Sequence, residues 1–413
     1  MTDVYVHDAH AVHDIPNPLR SASRDVILAE LASRVFTSLT RSDQRRKGIQ
    51  YLNGLLEIQG RKSIRNIAAL LGEHVSEQNL HHFICDSTWD WVPIRRALAG
   101  ALLPEAWVVR PVIIPKAGQH SVGVDRHFSR TLGQTVNAQR AIGVWATSEH
   151  LSAPVNWRLH LPPSWLMDDS RRSQAAIPDE MNAETMEECS VEAALETAMG
   201  WGLPVRPTVL DLDEAHAPLL ERLTTTRTPL LARVGPTTPL TVTDPVVPGR
   251  GQGIRTAHEI MVMAKNMRRP VSGRRHAPEP VGRRALAAAV RVGFPARPAR
   301  LTGNSPASER RGLVLVGMGE DGGRWPAELW LSNLTTVPTD YLVRLRRLAD
   351  RVDHDALGIA GRVGIRDFTG RSFNGWHRHI TLASIAHAVV ALAENAHGPQ
   401  TARHRLPHAS SRS

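Results

Sequence analysis

The 413-residue chain carries 50 lysines and arginines against 40 acids, a formal charge of +10 that makes a polyanionic partner worth testing. Only Lys47, Lys62, Lys116 and Lys265 are lysines, so an arginine-rich coding bias accounts for the same charge equally well. Cys85 and Cys189 stand too far apart for a disulfide framework or a cysteine metal motif, as in a cytoplasmic protein, and the longest apolar run, Ile380 to Ala393, is too short to span a membrane.

Residues 1–25 are rich in His, Asp, Pro and Ser and read as a disordered tail. Residues 26–103 read as a helical N-terminal domain: Ile27, Leu28, Leu31, Val35 and Phe36 share one helix face, and Ile49, Leu52, Leu55 and Leu56 share another. Ser42-Asp43 is the expected cap between them. Ser63 to Gly72 and Ser76 to Ile84 have the outline of a helix-turn-helix, a pattern that any helical hairpin with a glycine C-cap also shows. Trp89 and Trp91 sit among apolar residues and read as core.

Trp107 to Ile114 is a short β-branched run bounded by Pro104 and Pro115, and with the run that ends at Val124 it predicts two adjacent central strands. Arg110-Pro111 lies in the middle of the first. A charge followed by a residue that cannot donate to a β ladder marks either a strand end at a site or a sheet edge. Further strands are expected at Asn137 to Trp145 and near Trp157, with a helix over Ala183 to Met199. Val205 to Leu210 predicts a strand that delivers Asp211 to the crevice where α/β sheets bind ligands, whereas Asp213 and Glu214 read better as helix-start acids. Leu230 to Val234 is one more strand.

From Gly235 the composition turns to Pro, Gly, Thr and paired arginines, with few acids between them. Arg268, Arg269, Arg274, Arg275, Arg283 and Arg284 are the candidate DNA-binding residues of this insertion, and a solvated arginine-biased loop explains them as well. Two β-like runs, Gly312 to Gly317 and Ala327 to Asn333, close it. Tyr341 to Ile359 is an amphipathic helix. His377 and His379 stand i and i+2 on a helix and so face different ways, which argues against a metal site. The last helix, Ile380 to Glu394, is apolar all round and expected to be buried, and residues 396–413 read as a second disordered tail.

Several of these stretches together resemble a bacterial insertion-sequence transposase of the DDE, RNase-H-like kind. The matching pieces are Arg45-Arg46 with Tyr51-Leu-Asn-Gly-Leu55, Lys116 with Gly118 to Val124, Thr131-Leu-Gly133 with Asn137 and Gln139, Leu159 to Trp165, Trp330-Leu-Ser-Asn333, and Gly370-Arg-Ser-Phe-Asn-Gly-Trp376. The resemblance implies an α/β fold: an RNase-H-like mixed sheet flanked by helices, with an all-helical N-terminal domain and a β-rich insertion. It divides the core into 104–233 and 338–395, with the insertion at 234–337. Such a core clamps two Mg²⁺ ions between three carboxylates for in-line displacement at a phosphodiester.

The family's first acid lies in a Val-Val-Asp-Asp-Thr-Gly context, which here reads Val108-Val109-Arg110-Pro111-Val112-Ile113. Asp211 matches the second acid, without the family's following Tyr-Gly. The late helical signature of Tyr, Arg, Glu and Lys falls on Arg346, Ala349, Asp353 and Ala360. The resemblance therefore implies Asp211 and Asp353 as vestigial catalytic residues, with Arg110 and Pro111 at the first acid position and with Asp211, Asp125 or Asp213 as partners for Arg110. It implies no metal and no cofactor, except Mg²⁺ in an active enzyme.

Three functions follow from this reading. One is a transposase-like protein that binds double-stranded DNA without cleaving it, with room for a homodimer. Another is an active transposase using a displaced carboxylate such as Asp125. The third is a scaffold recruited to a small-molecule reaction or a protein partnership, for which His127, His216, Asp211 and Asp213 are the first residues to test.

Overall fold

A computed structural model describes residues 18–72, 75–129, 133–212, 217–225, 228–247, 251, 253–271, 284–295 and 312–396. Five helices precede the first strand: α1 (Pro18–Val35), α2 (Ser42–Glu57), α3 (Ile64–Leu71), α4 (Glu77–His81) and α5 (Val92–Leu102). α1 starts at Pro18, so residues 18–25 are helical rather than tail, as a proline in a first turn allows. The Ser42-Asp43 cap does not form. Ser42 is already helical, the N-cap is Arg41, and its guanidinium reaches Asp43 Oδ1 at 3.0 Å. α3 and α4 are capped by serines, Ser63 accepting from the Asn66 amide and Ser76 from the Asn79 amide, each at 3.1 Å. Trp89 is buried and Trp91 partly buried.

After the helices come β1 (Ala106–Pro115), β2 (Val124–Ser129), β3 (Gln134–Thr147), β4 (Ser152–Leu159), the short α6 (Pro163–Leu166) and α7 (Asp169–Gln174), α8 (Met186–Leu195), β5 (Thr208–Leu210), α9 (Ala217–Thr225) and β6 (Leu230–Arg233). β4, β3 and β1 form an antiparallel meander, and β5 and β6 add to β1 in parallel. The spatial order β4-β3-β1-β5-β6, with helices in the crossovers, is the RNase-H-like arrangement. β2 is not the central neighbour of β1 that the sequence suggests. It folds back on the first half of β3 and forms an edge, because β3 is long enough to pair with β1 over its whole length and still extend past it.

The sheet continues through the insertion. β7 (Pro239–Val242), β8 (Arg255–Thr256), α10 (Ala257–Met263), β9 (Arg269–Pro270), β10 (Ala285–Gly293), β11 (Leu313–Glu320) and β12 (Glu328–Ser332) extend it in the order β6-β12-β11-β10-β7-β8, with β9 on β10. β11 and β12 fall on the two β-like runs of the sequence, whereas β7, β8, β9 and β10 lie in the part that reads as Pro, Gly, Thr and paired arginines. α11 (Thr339–Gly358) covers one face, packing Leu342, Leu345, Leu348 and Val352 on Val108, Val209, Leu231, Val316 and Trp330.

α12 (Phe373–Ala396) lies against α1, α2, α5 and β4, and its burial all round follows from its apolar sequence. One hydrophobic cluster therefore runs from the N-terminal helices through α12 to the sheet. Arg95 is the polar joint of this contact. Fully buried, it donates to Thr381 Oγ1 at 2.7 Å, the Trp157 carbonyl at 2.9 Å and Asn156 Oδ1 at 3.2 Å, and burial lowers its guanidinium to about 9. Among the described residues no helix is long and apolar enough to cross a membrane.

Candidate functional site

Register sets the site. Val109 stands opposite Leu210, and Leu210 opposite Ala232, so the next residues of three parallel strands, Arg110, Asp211 and Arg233, form one row across the sheet. Alternation sets the face. Two residues earlier on each strand, Val108, Val209 and Leu231 belong to the apolar cluster under α11, so the row points to that helix.

The same alternation explains Pro111. The amide of Trp107 and the carbonyl of Val109 bond toward the β5 side, so the ring nitrogen of Pro111 faces that side as well. β5 has ended at Leu210, and the missing N–H costs no ladder bond. Pro111 thus marks the place where β1 outruns its parallel partner. The strand itself continues to Pro115, paired with β3.

Arg110 Nη2 lies 3.2 Å from Asp211 Oδ2, and Nη1 is ion-paired with Asp353 Oδ1 on α11. Nη1 also donates to the carbonyl of Ala349, one helical turn before Asp353, at 3.4 Å. Arg233 approaches the other oxygen of Asp211 at 3.4 Å. Asp211 is only 10% exposed, and burial pushes its carboxyl up against the opposing pull of Arg110 and Arg233. Asp353 is 32% exposed and Arg110 16%.

Beside this cluster is a second one. Arg346 holds Glu328 of β12 with Nε to Oε2 at 2.7 Å and Nη2 to Oε1 at 2.5 Å, and is paired with Asp350 one turn on. Burial opposes ionisation of Glu328, yet the hydrogen bonds and charge of Arg346 hold its carboxyl below the usual range. Arg233, Glu328 and Asp350 join the site only through sheet register and helix phase. Their sequence signal is no more than a charge at a strand end or on the charged side of an amphipathic helix.

The candidate residues do not all meet. Asp125 is on edge strand β2 opposite Ala138, which pairs with Pro115. Five residues of strand separate Pro115 from Arg110, or about 17 Å, so Asp125 is not a partner of Arg110. His127 is on the same remote edge. Asp213 and His216 lie outside the described residues, as do Arg274, Arg275 and Arg283. Arg268 lies over the Trp325 ring, 5.3 Å from its centroid, while Arg269 and Arg284 are exposed at the rim of the inserted strands. Lys116 donates to the carbonyls of Arg366 at 3.0 Å and Phe368 at 2.5 Å, and burial lowers its amine to about 8.

His377 and His379 occupy separate settings. His377 stacks on Trp91 and contacts Arg95, while His379 bridges Tyr51 and the Gly364 carbonyl. Among the described residues no group of three or more His, Cys, Asp and Glu side chains is placed to hold a metal ion.

The donor set does not fit a divalent pair. Among the described residues Asp211 and Asp353 face the cleft, both are already ion-paired, and a guanidinium stands between them. At about 4 Å and an effective dielectric near 20, that cation opposes a divalent ion by roughly 8 kcal/mol. The arrangement instead closes a charged gap between sheet and helix.

A family model described as DDE superfamily endonuclease matches residues 34–293. No curated protein matches the chain.

Proposed function

The chain belongs to the DDE superfamily endonucleases, and from that membership we propose that it is a transposase-like protein that binds double-stranded DNA and has lost metal-dependent strand cleavage and transfer. The observation that carries the loss is Arg110, ion-paired at once with Asp211 and Asp353. Where the resemblance calls for an acid on β1 and an arginine on the late helix, this chain has Arg110 on β1 and Ala349 on α11. The small Ala349 leaves its carbonyl open to the guanidinium. The cation has in effect moved from helix to strand, into the place of the first metal ligand, and Asp211 and Asp353 remain as vestiges.

DNA binding is supported by the family, by the net charge of +10 and by the exposed Arg269 and Arg284 on the inserted strands, with Arg268 beside them. A protein in this state competes for sites or regulates rather than cuts, and it has no need of Mg²⁺. The test pairs two assays on the purified protein. Duplex binding is expected to weaken steeply between about 50 and 200 mM salt. Supercoiled plasmid is expected to stay unnicked with Mg²⁺ or Mn²⁺. Nicking that disappears in Asp211→Ala would overturn the loss of cleavage, and binding indifferent to salt would overturn the DNA reading.

A further inference from the structure

A groove of about 770 Å³ runs between α1 and α2, lined by those two helices and the turn that joins them. The helices form an antiparallel hairpin. At one end Arg24 of α1 reaches Glu57 of α2 at 3.8 Å, and at the other the Phe36 ring packs on Gly48, where a methyl would stand 2.9 Å from it. Elsewhere each helix turns to different neighbours, α1 to α5 and α12, α2 to α3 and α12. The side chains left on the seam of α1 include Ala29, Ala32 and Ser33, which are too short to close the gap.

The floor is apolar, with Leu28, Ala32 and Phe36 buried, while Ile49 on the α2 wall is 41% exposed. Lining positions on α1 recur every three or four residues, and Arg45, Ile49 and Glu57 recur by fours on α2, so each wall is one straight helix face. From Asp25 to Thr37, and from Arg45 to Glu57, the walls are twelve residues long, or about 18 Å. That is the length of a three-turn helix.

The two ends differ in charge. Asp25 and Glu57 stand at one, paired loosely with Arg24 at 3.9 and 3.8 Å and still 65% and 52% exposed. Exposed Arg45 stands at the other, its Nη1 donating to the carbonyls of Leu39 and Thr40. A helix laid between them with its positive N-terminus at the acids and its negative C-terminus at Arg45 meets opposite charge at both ends. The dipoles of α1 and α2 run in opposite directions and cancel. A phosphate backbone would instead be repelled at the acid end.

We propose that this groove docks a three-turn amphipathic helix of a partner protein, apolar at i, i+4 and i+7, lying parallel to α1. The docking surface is independent of the DNA-binding reading.

The probe is a fluorescent, end-blocked peptide of about 14 residues, with leucine at i, i+4, i+7 and i+11 and alanine and glutamine elsewhere, titrated by anisotropy with the full chain. Saturable binding is expected, and it should be lost when the leucines are replaced by glutamine. I49E and A29E, on opposite exposed walls, should each weaken it about tenfold or more with thermal melting unchanged. D25N/E57Q and R45Q should each weaken it about two- to fivefold. No saturable binding up to about 1 mM, or equal binding by wild type, I49E and A29E, would overturn the groove as a docking site. Binding indifferent to both D25N/E57Q and R45Q would overturn the helix and its direction. A wild-type dimer that I49E makes monomeric would assign the groove to a second copy instead, and duplex binding weakened in I49E would assign it to DNA.

Discussion

Replacing Arg110 by methionine removes the cation between Asp211 and Asp353 while keeping an unbranched apolar stem on β1. Asp211 then keeps Arg233, at 3.4 Å, and Asp353 is 32% exposed. Breaking a fully buried pair costs about 3–5 kcal/mol, because an uncompensated charge is left behind. The remaining partner and the exposure of Asp353 reduce the expected loss to about 2 kcal/mol near neutral pH.

The pH dependence separates charge from packing. Burial already pushes the Asp211 carboxyl above the ordinary range, and Arg110 pulls it down, so its removal raises it further. A carboxyl raised in the folded state favours folding while protonated and loses that contribution as pH rises through the folded value. The deficit of R110M should therefore be largest near neutrality and shrink as pH falls toward the ordinary carboxylate range. Urea unfolding of both proteins at about pH 7.5 and about pH 5 measures it. Equal stability at both pH values, or a deficit that grows on acidification, would refute the ion-pair account.

Other substitutions and conditions probe the same structure. Arg110→Asp places three carboxylates at the site, so millimolar Mg²⁺ or Mn²⁺ should raise the melting temperature of R110D and leave wild type unmoved; scanning calorimetry decides. Burial lowers His379 to about 4 and His387 to about 3, so both stay neutral in the folded protein. Their contribution is complete above the unfolded histidine value of about 6.5 and is lost as pH falls through the folded values, at about 1.4 kcal/mol per pH unit for each proton. His379→Gln should remove about one proton from the acid slope of unfolding free energy, and an unchanged slope would contradict the buried neutral imidazole. A methyl on Gly54 would stand 2.5 Å from Ile67 Cγ2, so Gly54→Ala should cost about 1–3 kcal/mol, partly recovered with Ile67→Val; a neutral G54A would show that α2 and α3 are not this close.

Much of the fold is legible in the chain. Apolar periodicity places α1, α2, α11 and α12, because each buries a stripe or, in α12, the whole circumference. The β-branched run at Trp107 to Ile114 places β1, and the oddity of Arg110-Pro111 marks the position where β1 outruns β5. β10 escapes notice. Ala285–Gly293 carries four alanines in nine residues and becomes a strand only through pairing with β11 along its length.

The site divides in the same way. Composition and motif fix which residues carry charge: Arg110 in an apolar run, Asp211 at a strand end, Asp353 on an amphipathic helix. Which of them meet is decided in three dimensions, because a one-residue change of register would turn Arg110, Asp211 or Arg233 to the other face. Only the assembled sheet with α11 laid across it puts a guanidinium between two carboxylates, leaves Asp125 about 17 Å along the strand, and brings in Arg233 and Glu328, whose local sequence sets them apart from no other surface charge.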